Sequence, residues 1–200
     1  MCRARLFYFF YQGLSISMNS STQIPERRAR ILQATLDMLV EHGISHITHR
    51  KIAQAADVSL GSMTYYFSGI DSLIREAFIQ FTGQVSAQFR LILQQANTPE
   101  QACEAVADMI CGGTMTNPYN MQVMFQLYAC ANCHPELKKI MQEWMIYSQQ
   151  SLGLFFDPLT AKGIDAFIEG MTLHYVTDKQ PLTRDEVLVF VKRIAGVVAG

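Results

Sequence analysis

Two runs of hydrogen-bonding side chains in the N-terminal third have the types and spacing to grip a polyanion. Thr48, His49, Arg50 and Lys51 set a hydroxyl, an imidazole and two cations in consecutive positions. Ser59, Leu60, Gly61, Ser62, Thr64, Tyr65 and Tyr66 follow with small hydroxyls and phenols. Such groups donate to phosphate oxygens, and an arginine can pair bidentately with guanine. A second candidate is Cys130-Ala131-Asn132-Cys133-His134, which has the Cys-x-x-Cys-His spacing of c-type haem attachment and would also suit redox or metal sensing. Haem attachment requires export, for which no convincing signal exists, and no second axial ligand is evident. The plain alternative is small buried thiols followed by a capping histidine. His42, His46 and His49 lie close in sequence, but the first ends one helix and the others straddle the next cap, so no metal site is expected there. No nucleophile elbow, phosphate loop or paired-carboxylate motif occurs, so neither an enzyme nor a cofactor is expected.

Two short helices joined by a tight turn position the first set. Thr48 is a suitable N-cap, and Ile47 with Ile52 has the spacing of a hydrophobic staple. Ile52, Ala53 and Ala56 form a small apolar face that admits a second helix closely. Asp57 stands where the chain turns, and aspartate tolerates left-handed backbone better than most residues. Ser59 caps the next helix, with Val58 and Met63 as its staple. Helices joined this tightly must cross steeply, which is the geometry of a helix-turn-helix entering a DNA major groove. Upstream, Pro25 suits a first helical turn and Glu26 the positive helix end. Ile31, Leu32, Thr35, Leu36, Leu39 and Val40 recur at helical spacing, and Gly43 reads as the stop. Downstream, Ser68-Gly69-Ile70-Asp71 reads as a capping box that opens a fourth helix.

Residues Glu26 to Phe78 resemble the N-terminal domain of the TetR/AcrR family of bacterial transcriptional regulators. The matching residues are Arg30-Ile31-Leu32-Gln33-Ala34, Glu41-His42-Gly43, Thr48, Ile52-Ala53-Gln54-Ala55-Ala56, Val58-Ser59, Gly61, Tyr65-Tyr66-Phe67 and Leu73-Ile74. Three positions depart from the pattern: Asp57 replaces the usual glycine, Thr64 a tyrosine, and Ile70 a lysine that touches a phosphate. The last change predicts a shallower salt dependence. The resemblance implies that Arg50, Leu60, Ser62 and Thr64 face base edges of double-stranded DNA, and that Thr48, Tyr65 and Tyr66 touch its backbone. It also implies an inducer pocket in the body and a two-fold homodimer on a roughly palindromic operator.

The 200-residue chain carries a net charge of −1, which is unusual for a DNA-binding protein. From Ser21 to Thr82 the basic residues (Arg27, Arg28, Arg30, Arg50, Lys51, Arg75) balance the acidic ones (Glu26, Asp37, Glu41, Asp57, Asp71, Glu76). Any positive field must come from placement, with Arg27, Arg28, Arg30, Arg50 and Lys51 gathered on one side. The apolar run Leu6 to Tyr11 is too short to span a bilayer, and no clear cleavage site follows it. Residues 1–17 therefore read as an upstream extension ahead of a natural start at Met18, with a sticky appendage or signal remnant as the alternative. No transmembrane helix appears, so a cytoplasmic location is expected.

The fold expected is all-α with about nine helices: residues 1–20 an extension, 21–70 a three-helix helix-turn-helix head, and 71–200 an effector-binding and dimerisation body. Leu73, Ile74, Ala77, Phe78, Phe81, Val85, Phe89, Ile92 and Leu93 mark one long helix to about Gln95 that links the two. Thr98-Pro99-Glu100-Gln101 is a capping box, Gly112-Gly113 an end, and Asn117-Pro118 a start. Pro135 opens a helix running to about Phe156. Asp157-Pro158 breaks the chain, a helix spans about Thr160 to Val176, and Thr183 to Glu186 boxes a last helix ending near Ala199. Methionines and aromatics are dense between them: Met109, Met124, Phe125, Tyr128, Trp144, Met145 and Phe155 are the candidate lining of a pocket, with core packing as the plain alternative. Charged residues are sparse there, so a neutral or cationic lipophilic effector, apolar or aromatic, is expected. Ile164, Phe167, Ile168, Met171, Thr172 and Tyr175 form one stripe, and Val187, Phe190, Val191, Ile194 and Val198 another. That is more apolar surface than one body covers; Phe167, Met171, His174, Tyr175, Phe190 and Ile194 are the expected dimer contacts.

Overall fold

The computed structural model describes residues 20–113 and 115–197, with side chains from residue 26 onward. The readings placed on residues 1–17 and on Val198 lie outside them. Among the described residues nine α-helices and one short 3-10 helix form, and no strand. They run α1 Ser20–His42, α2 His49–Ala55, α3 Leu60–Tyr66, α4 Ile70–Leu93, α5 Pro99–Cys111, α6 Pro118–Ala131, α7 Pro135–Leu152, α8 Pro158–Thr177 and α9 Arg184–Ala195.

Most boundaries follow from local chemistry. Gly43, at φ 70, ends α1 in backbone that suits a residue without Cβ, and its N–H donates to Leu39 O. Thr48 accepts from Lys51 N, Thr98 from Gln101 N and Asn117 from Asn120 N. Pro99, Pro118, Pro135 and Pro158 all occupy the first turn of a helix, where a missing N–H costs nothing. Thr183 and Glu186 complete a reciprocal box at α9. Glycine at 112 is enforced by space, since a Cβ there would stand 2.4 Å from Asp108 O.

Several boundaries differ from the sequence-based expectation. α1 begins at Ser20, ahead of Pro25, and a 3-10 turn at Ile44–His46 follows it. The box expected at Ser68 does not form: Gly69 is the N-cap of α4 with no side-chain bond, because Ser68 lies one residue too early to reach the first turn. At α5 the reciprocal bond of the box goes to Asn97 N rather than to Thr98. α7 stops at Leu152, and the chain turns through Gly153. The break at Asp157-Pro158 is present, and α8 starts at Pro158, two residues ahead of Thr160, with Asp157 accepting from Leu159 N and Thr160 N. Gly196, left-handed at φ 68, ends α9 after Ala195.

One apolar core runs the length of the molecule. α1 packs on α4, α2 packs on α1 and α3 on α2; α4 also lies on α7 and α5, while α6 joins α7 to α1 and α5 packs on α8 and α9. Phe78, fully buried, sits in α4 where head meets body. Arg28 joins the two ends of the head by pairing with Glu76 while lying 5.6 Å over the Phe67 ring. It is therefore committed to structure and not to the free positive face expected for it.

A second connection between head and body is polar. Tyr119, at the start of α6, donates to Asp37 Oδ1 of α1 at 2.8 Å. Gln33 Nε2 donates to the Tyr119 oxygen at 2.6 Å and to the same carboxylate at 2.9 Å. Burial, together with the neighbouring Asp37 carboxylate, holds the Tyr119 phenol above its ordinary value, so its proton stays in place between the two helices.

Candidate nucleic-acid interface and ligand cavity

The head holds α3 outward by its caps. Val58 N donates to Ala53 O at 3.0 Å and Asp57 adopts φ 53, so the chain reverses within a few residues of α2. Ser59 then accepts from Ser62 N at 3.2 Å. Ile47, Ile52, Ala53, Ala56, Met63 and Phe67 are buried beneath, with Val58 packed against them. This leaves the opposite side of α3 in solvent: Leu60 is 52% and Tyr65 76% exposed, and Ser59, Gly61 and Thr64 are exposed too. Ser62 and Tyr66 are half-buried. The two tyrosine rings meet edge to face at 5.0 Å, so each orients the other. Thr64 donates to Gly61 O, and the Ser59 and Ser62 hydroxyls bond to each other.

Of the residues at the start of α2, Thr48, Arg50 and Lys51 are exposed. Lys51 folds back, its Nζ donating to His46 O at 3.0 Å, which fixes its ammonium near the helix start. His49 turns Nε2 inward to a buried position without a partner among the described residues, so that nitrogen does not face solvent.

In the body, α4, α5, α7 and α8 line a small, partly open cavity. Its lining is Val85, Ser86 and Phe89 of α4; Met109 and Met115; Trp144, Met145 and Ser148 of α7; and Ile168 and Glu169 of α8. The room within for water centres is about 20 Å³, on the order of one or two waters. Three of the seven residues expected from sequence, Met109, Trp144 and Met145, come together here. The others do not line it: Met124 is buried elsewhere in the core, Phe125 is 40% exposed, and Phe155 packs beside Phe156. Tyr128 reaches the site indirectly by donating to Glu169. Trp144 meets Phe81 of α4 edge-on at 6.2 Å, which ties the cavity wall to the linking helix.

Sequence reading missed Glu169, which lies half-buried among the apolar residues of α8 and is the only charged group in the lining among the described residues. Burial pushes its carboxyl up to about 7. The one signal available was an acid next to Ile168 and two residues before Met171, on a stripe assigned to dimer contact. That stripe divides. Ile164, Ile168 and Thr172 turn into the protomer, while Phe167, Met171 and Tyr175 lie half-buried and His174 exposed. α9 divides likewise, with Val187 and Val191 buried and Phe190 and Ile194 outward, 41% and 37% exposed. Phe167 and Phe190 rings stand 6.1 Å apart across the two helices.

Three of the four described cysteines lie where thiolate is disfavoured. Cys130 is buried, and burial raises its thiol above the ordinary value, as it does for Cys103 and Cys111, which disfavours thiolate. Cys133 is exposed, and the His134 side chain makes no capping bond. No cluster of three metal-ligating residues occurs among the described residues, and no described helix is long and apolar enough to cross a membrane.

Residues 31–77 match the family described as bacterial regulatory proteins, tetR family. A proposed transcriptional regulator, SCO7518 of Streptomyces coelicolor A3(2), is 42% identical, with 86% of this chain and 99% of that one covered and a TM-score of 0.79. The multidrug binding protein EbrR is similar in its complex with malachite green: 26% identity, 86% and 99% coverage, TM-score 0.67. The transcriptional regulator BetI 1 of Chromohalobacter salexigens is 25% identical over 158 residues, which cover 74% of this chain and 78% of that protein.

Proposed function

Since the chain belongs to the tetR family of bacterial regulatory proteins, we propose that it is a homodimeric repressor released from a palindromic DNA operator by a small lipophilic ligand. The observation that carries this reading is the capped turn from Thr48 to Ser59, which leaves one face of α3 free while its other face is locked into the core. Arg50, Leu60, Ser62 and Thr64 take the base edges. Thr48, Tyr65 and Tyr66 take phosphates, flanked by His49, Lys51, Ser59 and Gly61. With Arg28 paired and no lysine at position 70, few charges remain for the backbone, so affinity falls less steeply with salt than for a strongly basic head.

The dimer forms on the outward residues of α8 and α9, Phe167, Met171, His174, Tyr175, Phe190 and Ile194. Phe190 and Ile194 stand exposed beside half-buried Phe167, Met171 and Tyr175, apolar surface that a second copy would cover, and a two-fold axis there would set two α3 helices on successive major grooves. The effector occupies the α4–α5–α7–α8 cavity. EbrR, whose complexes contain malachite green and proflavin, supports an aromatic occupant. A ring system is larger than the present space, so it must push Phe89, Met109 and Trp144 apart. Displacement of Trp144 bears on Phe81 and so on α4, whose far end carries the head. The ligand must favour the displaced state to shift the equilibrium.

The test is gel retardation of the DNA immediately upstream of the gene, with random competitor at low salt, and sedimentation of the protein alone. A retarded complex with a footprint on an inverted repeat, and a dimer in solution, is the expected result. No preference for that fragment over competitor would refute the assignment.

A further inference from the structure

The polar side chains of the cavity lining are two serines, the Trp144 indole and one carboxyl, and among the described residues no cation lines the cavity with that carboxyl. Glu169 faces Val85, Ser86 and Phe89 from α4, Met109 from α5, Met115, and Trp144, Met145 and Ser148 from α7. None of these titrates in the accessible range. From α6 comes the Tyr128 phenol, which donates to the carboxyl. Asp165, one turn earlier on α8, accepts from Gln149 Nε2 at 2.9 Å and is thereby held by another helix. Among the described residues no Lys, Arg or His lines the site. A carboxylate isolated in such surroundings lacks a counterion, and evolution toward a neutral ligand would have left an apolar residue there at less cost.

We propose that Glu169 is the counterion for an effector of fixed positive charge, and that the cation enters the cavity in exchange for the carboxyl's proton. The proposal rests on the reading of this cavity as the effector site. In the empty protein the acid is protonated over the lower part of the neutral range, because burial opposes its charge and no neighbouring charge helps it. When the cation docks, the carboxyl proton leaves to solvent, the carboxylate pairs with the ligand, and the site stays neutral overall. The Tyr128 phenol keeps donating and stabilises the anion that forms. Trp144 and Phe89 are the aromatic rings of the lining with which a delocalised cation could interact. A hydrated metal ion is a poor fit, since one carboxylate among methionines and aromatics cannot replace its oxygen shell.

The experiment compares two bicyclic probes of nearly equal shape, N-methylquinolinium, whose charge does not titrate, and naphthalene, which has none. Binding is measured by calorimetry between pH 5.5 and 8, in buffers of different ionisation enthalpy that count protons. The emission of Trp144, the sole tryptophan of the chain, shows whether the cavity is the place of binding. At the acid end quinolinium should release close to one proton, with affinity rising about tenfold per pH unit before levelling. Glu169→Gln should abolish both the proton release and the pH dependence while leaving naphthalene binding intact. Tyr128→Phe should retain the exchange but move the levelling point to higher pH. Quinolinium binding that releases no proton and is indifferent to Glu169→Gln, with naphthalene still quenching Trp144, would overturn the counterion role and leave the cavity as effector site. Neither probe binding and Trp144 unmoved would overturn both.

Discussion

The Tyr119–Asp37–Gln33 cluster is a direct polar link between α1 and α6, and its strength can be worked from its geometry. Tyr119→Phe removes one hydroxyl and no carbon, so no cavity opens beyond the lost oxygen. It deletes a 2.8 Å bond to a carboxylate and the 2.6 Å acceptor of Gln33. Hydrogen bonds to charged groups contribute roughly 1.5–3 kcal/mol. Asp37 is only half-buried and keeps its 2.9 Å bond from Gln33, so water and that amide recover part of the loss. A net cost of about 1 kcal/mol remains. For a domain of this size that lowers the melting temperature by about 2–4 °C. The assay is thermal unfolding by circular dichroism for wild type, Tyr119→Phe, Asp37→Ala and the double variant. If the link exists in solution the double variant loses less than the sum of the singles, by more than about 0.5 kcal/mol. Additive losses would show that the two helices are held by apolar packing alone, and the reasoning would fail. Because the cluster joins the head to a helix of the body, Tyr119→Phe should also blunt release of operator DNA by effector, with affinity for DNA in its absence nearly unchanged.

Three further outcomes are expected. Arg50→Ala should weaken operator binding by about 1–3 kcal/mol and relax preference at one base pair; an equal loss on every sequence, measured by competitive retardation, would contradict base contact. Asp57→Gly relieves left-handed strain of roughly 1–2 kcal/mol but adds about 0.4–1 kcal/mol of unfolded-state entropy, so urea titration should find it neutral to slightly stabilised. Glu169, at about 7 when folded against an ordinary 4.5, binds more protons folded than unfolded between those values. Its contribution to stability is full below pH 4.5 and is lost as pH rises through 7. Glu169→Gln should therefore melt well above wild type at pH 8, by up to a few kcal/mol in stability, and close to it at pH 5. An equal offset at both would deny the burial of the carboxyl.

The head was legible because its signals are local. Thr48, Ser59 and Thr183 cap through bonds spanning three residues, and Asp57 declares a left-handed turn by its own side chain. Proline failed as a boundary at Pro25: α1 carries it past the first turn, although proline lacks an N–H and disfavours helix in the residue before it, so its own chemistry did not announce this position. Ser68 failed because choosing which of two adjacent small residues becomes the cap depends on where α4 must dock. The cavity was half legible. Met109, Trp144 and Met145 share a soft, bulky character that composition reveals, but Phe125 has the same character and points outward. Periodicity marks a helix as apolar without saying which neighbour claims each side, so the stripe on α8 concealed both its inward half and Glu169. Such facts arise only when α4, α5, α7 and α8 meet.

The resting cavity is nearly full, and this decides what kind of molecule can carry a message. A guest small enough for the space already present would lodge there without disturbing Trp144 or Phe89, and the heads would never learn of it. A larger guest must do mechanical work on the wall, and that work is deducted from its affinity. Sensitivity and signal are therefore opposed in this protein: the molecules that report most forcefully should bind less tightly than their contact area suggests, and silent occupants should act as antagonists.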